Sequence, residues 1–169
     1  PLDRRTDLNR IADRIGVTAW IAVTSVLFAS PALARPDFSG SSLGTLRVGM
    51  PADRAAARGW VERDPSPCNS GWRTARYAKQ LQVRIWHGKV MAVSTTSRRF
   101  ATRKAVRPGD TLQQLKSKYA VKQVGRNLYS SDPILHVPGT HMYFTVRDNR
   151  VASVHLTKGF LPDGSELEC

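Results

Sequence analysis

The side chains with the broadest chemistry in this sequence are its four histidines: His87, His136, His141 and His155. No two of them have the i, i+4 spacing by which a helix presents two ligands to a zinc ion. The acids that a catalytic histidine needs are few, and Asp53 and Asp110 serve better at helix starts. We therefore expect no catalytic residue, no metal and no cofactor. A small secreted hydrolase stays an alternative if distant acids converge on a histidine.

Aromatic side chains beside arginines are the stronger functional signal. Trp86 and Tyr143 alternate with apolar residues along two predicted strands, so they fall on the polar side, near Arg84 and Arg147. Aromatic and arginine side chains are enriched at protein–protein interfaces. We predict that these four residues form a binding surface on an exposed sheet face. Packing of the aromatics against loops is the alternative.

The first 34 residues have the layout of a secretory signal peptide. Arginines precede an apolar run over residues 15–29, and the small-residue site Ala32-Leu33-Ala34 follows. We expect cleavage near Ala34, a secreted or cell-envelope location and no transmembrane segment afterwards. An uncleaved anchor is the alternative, because residues 15–33 approach the ~20 that span a bilayer.

The two cysteines, Cys68 and Cys169, both follow this segment. An even number of cysteines in an exported protein predicts a disulfide. In the chain-entropy view, closing a loop of about 100 residues stabilises the fold by up to ~4.7 kcal/mol. We predict a Cys68–Cys169 bond.

The chain is strongly basic, with 26 Lys and Arg against 13 Asp and Glu and a net charge of +13. Such a charge favours an acidic partner. Outside the cytoplasm the abundant anions are acidic proteins, wall polymers and phospholipid headgroups. We therefore expect a protein partner, with a cell-wall polymer as the alternative, and no nucleic acid.

The pattern of apolar residues and turn residues predicts one domain over residues 46–169. Residues 35–45, which precede it, are rich in Ser, Gly and Pro and are predicted to be a flexible lead-in. In the first half, a short helix ends at Gly59, and strands over 81–86 and 90–96 form a hairpin. In the second half, Asp110 is the expected N-cap of a helix, residues 125–139 read as loop, and strands over 142–147 and 151–156 form another hairpin.

The two halves repeat the same order of helix, loop and hairpin at a spacing of about 60 residues. We predict an α+β fold of two α-β-β repeats, over residues 46–96 and 104–156. Their hairpins are expected to join into one antiparallel sheet with both helices on one face.

The segment Leu46-Arg47-Val48-Gly49-Met50-Pro51-Ala52-Asp53 resembles the repeat of exported bacterial proteins that pack helices on an antiparallel sheet. The beta-lactamase inhibitory proteins and the small outer-membrane assembly lipoproteins have this architecture. The resemblance covers both half-repeats. It implies a binding module without an active site that works through its exposed sheet face and loops.

A second segment, residues 106–119, is similar to the opening of a LysM wall-binding module, because Gly109-Asp110-Thr111-Leu112 begins a helix there. LysM modules bind N-acetylglucosamine polymers such as peptidoglycan. This resemblance implies wall-glycan binding as an alternative to protein binding.

Overall fold

The computed structural model describes residues 36–64 and 71–159. The predicted signal peptide over residues 1–34 and both cysteines of the predicted disulfide, Cys68 and Cys169, lie outside these residues. Within the described part of the chain, none of the helices combines the length and apolar character needed to cross a membrane.

The described residues form two helices and eleven strands. The first half contains β1 (Phe38–Ser39), β2 (Ser42–Leu43), β3 (Leu46–Arg47), α1 (Ala52–Ala57), β4 (Val61–Arg63), β5 (Trp72–Thr74), β6 (Gln82–Trp86) and β7 (Lys89–Thr95). The second half contains α2 (Leu112–Lys118), β8 (Lys122–Arg126), β9 (Pro133–His136), β10 (Met142–Arg147) and β11 (Arg150–Thr157).

The strands form three antiparallel sheets, so the predicted α+β class with antiparallel pairing is confirmed. The largest sheet has six strands in the order β6-β7-β11-β10-β9-β8, while β1-β2-β3 and β4-β5 form smaller sheets. Both predicted hairpins are present, and they meet where β11 pairs with β7. The prediction of a loop over residues 125–139 is wrong, because β8 ends and β9 lies within that range.

Two tight turns explain why the hairpins form where the sequence predicts them. Both central residues of each turn have positive φ: His87 46°, Gly88 70°, Asp148 48° and Asn149 57°. Two-residue turns of this kind match the right-handed twist of the strands they connect. Glycine and asparagine adopt this conformation at lower cost than most residues.

One face of the six-stranded sheet packs into the hydrophobic core. Val83 and Ile85 of β6 belong to a single hydrophobic cluster that spans the described residues. Ala52 and Ala55 of α1 and Leu115 of α2 are buried in the same cluster, so both helices pack against this side. The opposite side of the sheet is therefore covered by neither helix.

Residues 36–45 do not behave as the expected flexible lead-in. Phe38 and Leu43 are completely buried, and Phe38 packs edge-on against Phe100 with the ring centroids 6.4 Å apart. The hydrophobic core thus extends to Phe38 rather than beginning at Leu46. Burial of these two apolar side chains outweighs the Ser- and Gly-rich composition around them.

The second helix is capped by Thr111 and not by Asp110. The Thr111 hydroxyl accepts a hydrogen bond from the Gln114 N–H over 3.1 Å, and the Gln114 side chain accepts one from the Thr111 N–H over 2.8 Å. This is a capping box. Asp110 instead accepts a bond from the Arg107 N–H in the preceding turn.

The segment before each helix is bonded to the following hairpin in the same way. The Gly49 N–H donates to the Val90 carbonyl over 2.6 Å, and the Gly109 N–H donates to the Val151 carbonyl over 2.6 Å. Both glycines have positive φ, 85° and 91°. A side chain at either position would strain a backbone that the hairpin bond holds in place.

The first residue of each helix makes a second matching contact. The Ala52 N–H donates to the Gly88 carbonyl over 2.8 Å, and the Leu112 N–H donates to the Asn149 carbonyl over 2.8 Å. These bonds satisfy a helix N–H that has no partner within its own helix. They fix each helix start over the turn of its hairpin.

Because Gly49 and Gly109 have the same role, we expect Gly49→Ala and Gly109→Ala to lower the free energy of unfolding by similar amounts, about 1–2 kcal/mol each. Urea unfolding followed by circular dichroism measures this. Gly40→Ala is the control, since Gly40 lacks positive φ and an added Cβ would be 3.6 Å from Thr140, an ordinary contact. A loss of stability in only one of the two variants would contradict the equivalent role of the two glycines.

Candidate functional site: the open face of the six-stranded sheet

The face of the six-stranded sheet opposite the hydrophobic cluster is the candidate functional site, and we call it the open face. Side chains alternate along a strand, so Gln82, Arg84 and Trp86 project away from the core side of β6. On β10, Tyr143 and Arg147 project the same way, away from the core residue Phe144.

One row of side chains crosses the open face from strand to strand. In cross-strand register, Gln82 lies opposite Ser94, Ser94 opposite His155, His155 opposite Tyr143, and Tyr143 opposite His136. The Tyr143 and His136 rings stack with centroids 4.5 Å apart. The row therefore offers amide, hydroxyl, imidazole and phenol groups side by side.

A groove of about 860 Å³ lies on the open face. Its floor includes Gln82, Ser94, Ser153 and His155, and its walls come from residues 78–82 on one side and 127–132 on the other. Ten of its 18 lining residues are Ser, Thr, Asn or Gln, and Tyr129 adds an aromatic ring. Such a lining forms hydrogen bonds with a polar ligand.

His155 occupies the groove floor between two hydroxyl groups. Its Nε2 atom lies 2.6 Å from the Ser153 hydroxyl and 3.1 Å from the Thr145 hydroxyl. Burial lowers the pKa of His155 to about 4, so the ring is neutral at pH 7. A neutral imidazole accepts a hydroxyl bond at one nitrogen, and its weak basicity makes it a poor general base.

An ion pair closes one end of the groove. Arg147 Nη2 lies 2.8 Å from Asp132 Oδ2, and Ser130 donates a hydrogen bond to the same carboxylate oxygen. The hydrogen bond from Arg147 keeps the pKa of Asp132 below its usual range. The pair holds the 127–132 wall against β10.

The four residues that the sequence predicts as a binding surface lie on the open face but not in one cluster. Trp86 is 58% exposed at the end of β6, its ring against His87, and Arg84 is half-buried on the same strand. Tyr143 lies in the central row, and Arg147 lines the groove. Two strands separate β6 from β10, which is roughly 14 Å at the usual strand spacing.

The 127–132 wall carries exposed apolar residues that the sequence analysis does not single out. Leu128 is 65% and Tyr129 64% exposed. The Asn127 side chain accepts hydrogen bonds from the Tyr129 and Ser130 N–H groups, which fixes the turn. An asparagine opening a turn is a signal for this geometry, but its position beside the groove depends on tertiary contacts.

One serine has the Gly-x-Ser-x-Gly spacing of a hydrolase nucleophile, Ser42 between Gly40 and Gly44. It lies on the short strand β2, and its hydroxyl is 2.8 Å from that of Ser39. The strand-to-helix turn that such a nucleophile needs is not formed here, because β3 follows directly. The motif is therefore a turn between short strands.

No protein family, no curated protein and no solved structure matches this chain.

The lowered pKa of His155 gives stability a defined pH dependence. Between pH 6.5 and about 4, the unfolded chain takes up a proton at this histidine and the folded chain does not, so stability falls as pH falls. We expect the wild type to lose about 2 kcal/mol more than His155→Gln between pH 7 and pH 4.5.

Urea unfolding at the two pH values measures this difference. His87→Gln is the matched control, because it removes an imidazole that is exposed in a hairpin turn and leaves His155 in place. Equal acid destabilisation of wild type and His155→Gln would show that His155 is not held neutral.

Proposed function

We propose that this protein is an exported binding module whose open-face groove receives a segment of a protein partner, without catalysing a reaction. The location is secreted or cell envelope, after cleavage near Ala34, with Cys68 and Cys169 joined in a disulfide. The observation that carries the proposal is the groove on a sheet face that neither helix covers.

The chemistry of the groove supports a polypeptide ligand. Hydroxyl and amide groups on its floor, including Ser94, Thr145 and Gln82, can donate to and accept from backbone amides. Tyr129 on the wall adds an exposed aromatic anchor of the kind that contributes most to protein interfaces, and exposed Leu128 lies next to it. Trp86 and Tyr143 extend the surface on the same face.

The protonation states in the groove support binding over catalysis. A hydrolytic site needs a histidine that is basic near neutral pH and a carboxylate that orients it. His155 has its pKa lowered to about 4, and the Asp132 carboxylate is bound by Arg147. Their hydrogen-bond partners fix the shape of the groove. A groove that already has its binding shape loses less conformational freedom when a ligand binds.

We also propose that the chain is an internal duplication with copies over residues 46–96 and 104–156. The matching bonds of the two helices to their hairpins recur at a spacing of about 60 residues. Each hairpin also has an extra residue at the same place in its second strand, Met91 in β7 and Ala152 in β11. In each copy the helix is then followed by four strands, and the first copy also has β3 before its helix.

The composition of the groove favours one second candidate, a cell-wall glycan. Sugars bind where many hydroxyl and amide groups line a groove beside an aromatic ring, and Tyr129 provides such a ring. This candidate and the protein partner share one site, so a single experiment distinguishes them.

A photo-reactive benzoylphenylalanine at Gln82, which lines the groove, tests the proposal. We expect it to cross-link to a protein when the full chain is mixed with the medium and envelope fractions of producing cells, since the ligand lies within reach of this side chain. The matched control carries the same group at Ala57, an exposed position on α1. Gel mobility after illumination is the measurement.

Treatment of the adduct identifies the ligand class. An adduct that muramidase leaves intact and whose tryptic peptides include a second protein supports the protein partner. An adduct whose added mass muramidase removes assigns the groove to a glycan instead. Equal cross-linking from positions 82 and 57 would contradict the groove as the binding site.

A further inference from the structure

A second surface, away from the open-face groove, concentrates positive charge. Between residues 98 and 118 the sequence has seven basic residues and one acidic residue, Asp110. All seven are exposed, and exposed Arg150 lies beside the same segment. We call these eight residues the basic surface: Arg98, Arg99, Arg103, Lys104, Arg107, Lys116, Lys118 and Arg150.

Short contacts join the elements that carry the basic surface. Lys104 Nζ donates to the Lys118 carbonyl over 2.8 Å, which joins the loop before α2 to the end of that helix. Arg150 Nη1 donates to the Gly109 carbonyl over 2.9 Å, and the Arg98 side chain packs beside the same glycine. The loop, the helix and the turn that carry these charges are thus in direct contact.

Lys104 and Lys118 are held in place without neutralising their charge. Lys104 and Lys118 donate to backbone carbonyls, and Lys104 also lies 4.9 Å from the centre of the Tyr119 ring. Asp110 uses its carboxylate to accept from the Arg107 backbone N–H. The ion pairs of the described residues lie elsewhere: Arg63–Asp53, Arg73–Glu62 and Arg147–Asp132.

A hollow at one side of the surface can accept a single anionic group. It has a volume of about 490 Å³, and Lys116 and Arg150 line it together with the hydroxyl of Thr111 and the amide of Asn149. Asp148 also lines it. The two cations, Lys116 and Arg150, can donate charge-assisted hydrogen bonds to the oxygens of a phosphate group.

We propose that the basic surface binds a hydrophilic polymer with repeating phosphate groups. The exposed large apolar side chains of the described residues, at positions 86, 124, 128 and 129, lie outside it. Binding to a bilayer would use such side chains, which insert among the lipids. Binding to a phosphate polymer needs only charge and hydrogen bonds. The groove is separate, since its lining contains Lys79 and Arg147 as its basic residues.

Long-chain inorganic polyphosphate is the probe, and its Kd for the full chain is measured by fluorescence anisotropy across a range of salt concentrations. The test variant combines Arg99→Gln, Arg103→Gln and Arg107→Gln. Each phosphate contact contributes about 0.7–0.9 to the slope of log K against log salt. We expect the variant to bind about tenfold more weakly at physiological salt and its slope to fall by about 2.

The control combines Arg47→Gln, Arg54→Gln and Lys89→Gln, three exposed cations outside the basic surface. It removes the same net charge, so we expect its affinity to stay near that of the wild type. Unchanged near-ultraviolet circular dichroism checks that both variants fold.

Equal weakening of the two variants would overturn the proposal, because it would show that binding depends only on the overall charge of the protein. Loss of binding by the test variant on phosphatidylglycerol vesicles, without loss on polyphosphate, would assign the surface to a membrane and overturn it too. Duplex DNA binding with the same variant dependence would support the phosphate chemistry and identify another source of it. None of these outcomes depends on the groove, which cross-linking at Gln82 tests separately.

Discussion

The antiparallel pairing of β7 with β11 is the constraint on which the rest of the structure depends. In this register, Val93 lies opposite Leu156, and Ser94 lies opposite His155. Because side chains alternate, the register places the apolar residues of both hairpins on the helix side and the polar row on the other. A slip of one residue would bury His155 in the core and expose Leu156, so both the core and the open face are set by the same hydrogen bonds.

The sequence predicts this part of the fold because local signals coincide. Alternating apolar residues and turns at His87-Gly88 and Asp148-Asn149 are sufficient to place both hairpins. The local signals fail where tertiary contacts determine the structure of a segment. Pro133 reads as a strand breaker, yet it begins β9, since a proline is tolerated at the first position of a strand. The composition around Phe38 predicts a flexible segment, because composition does not show that the core has room for this side chain.

The candidate site likewise has one part that the sequence predicts and one part that it does not. Alternation alone predicts that Trp86 and Tyr143 share a sheet face, and the structure has them there. The groove beside them could not be predicted, because its walls belong to loops whose residues contact the sheet only after folding. Asp132 illustrates this, since its ion pair with Arg147 brings together residues from different elements. A local pattern gives the orientation of a strand residue but not the path of a loop.

The two ends of the open face differ although their backbones match. Trp86 and Arg147 each directly precede a hairpin turn and each pairs across to the first residue of the next strand. At the Arg147 end, the 127–132 loop reaches β10 and its Asp132 neutralises the arginine. At the other end, Trp86 remains 58% exposed. Under the proposed duplication, equivalent positions have therefore acquired an ion pair at one end and an exposed aromatic ring at the other. Under the proposed function, this asymmetry would give a bound segment one preferred direction along the sheet, because an apolar side chain would gain from contact with Trp86 and a polar one from the groove beside Arg147.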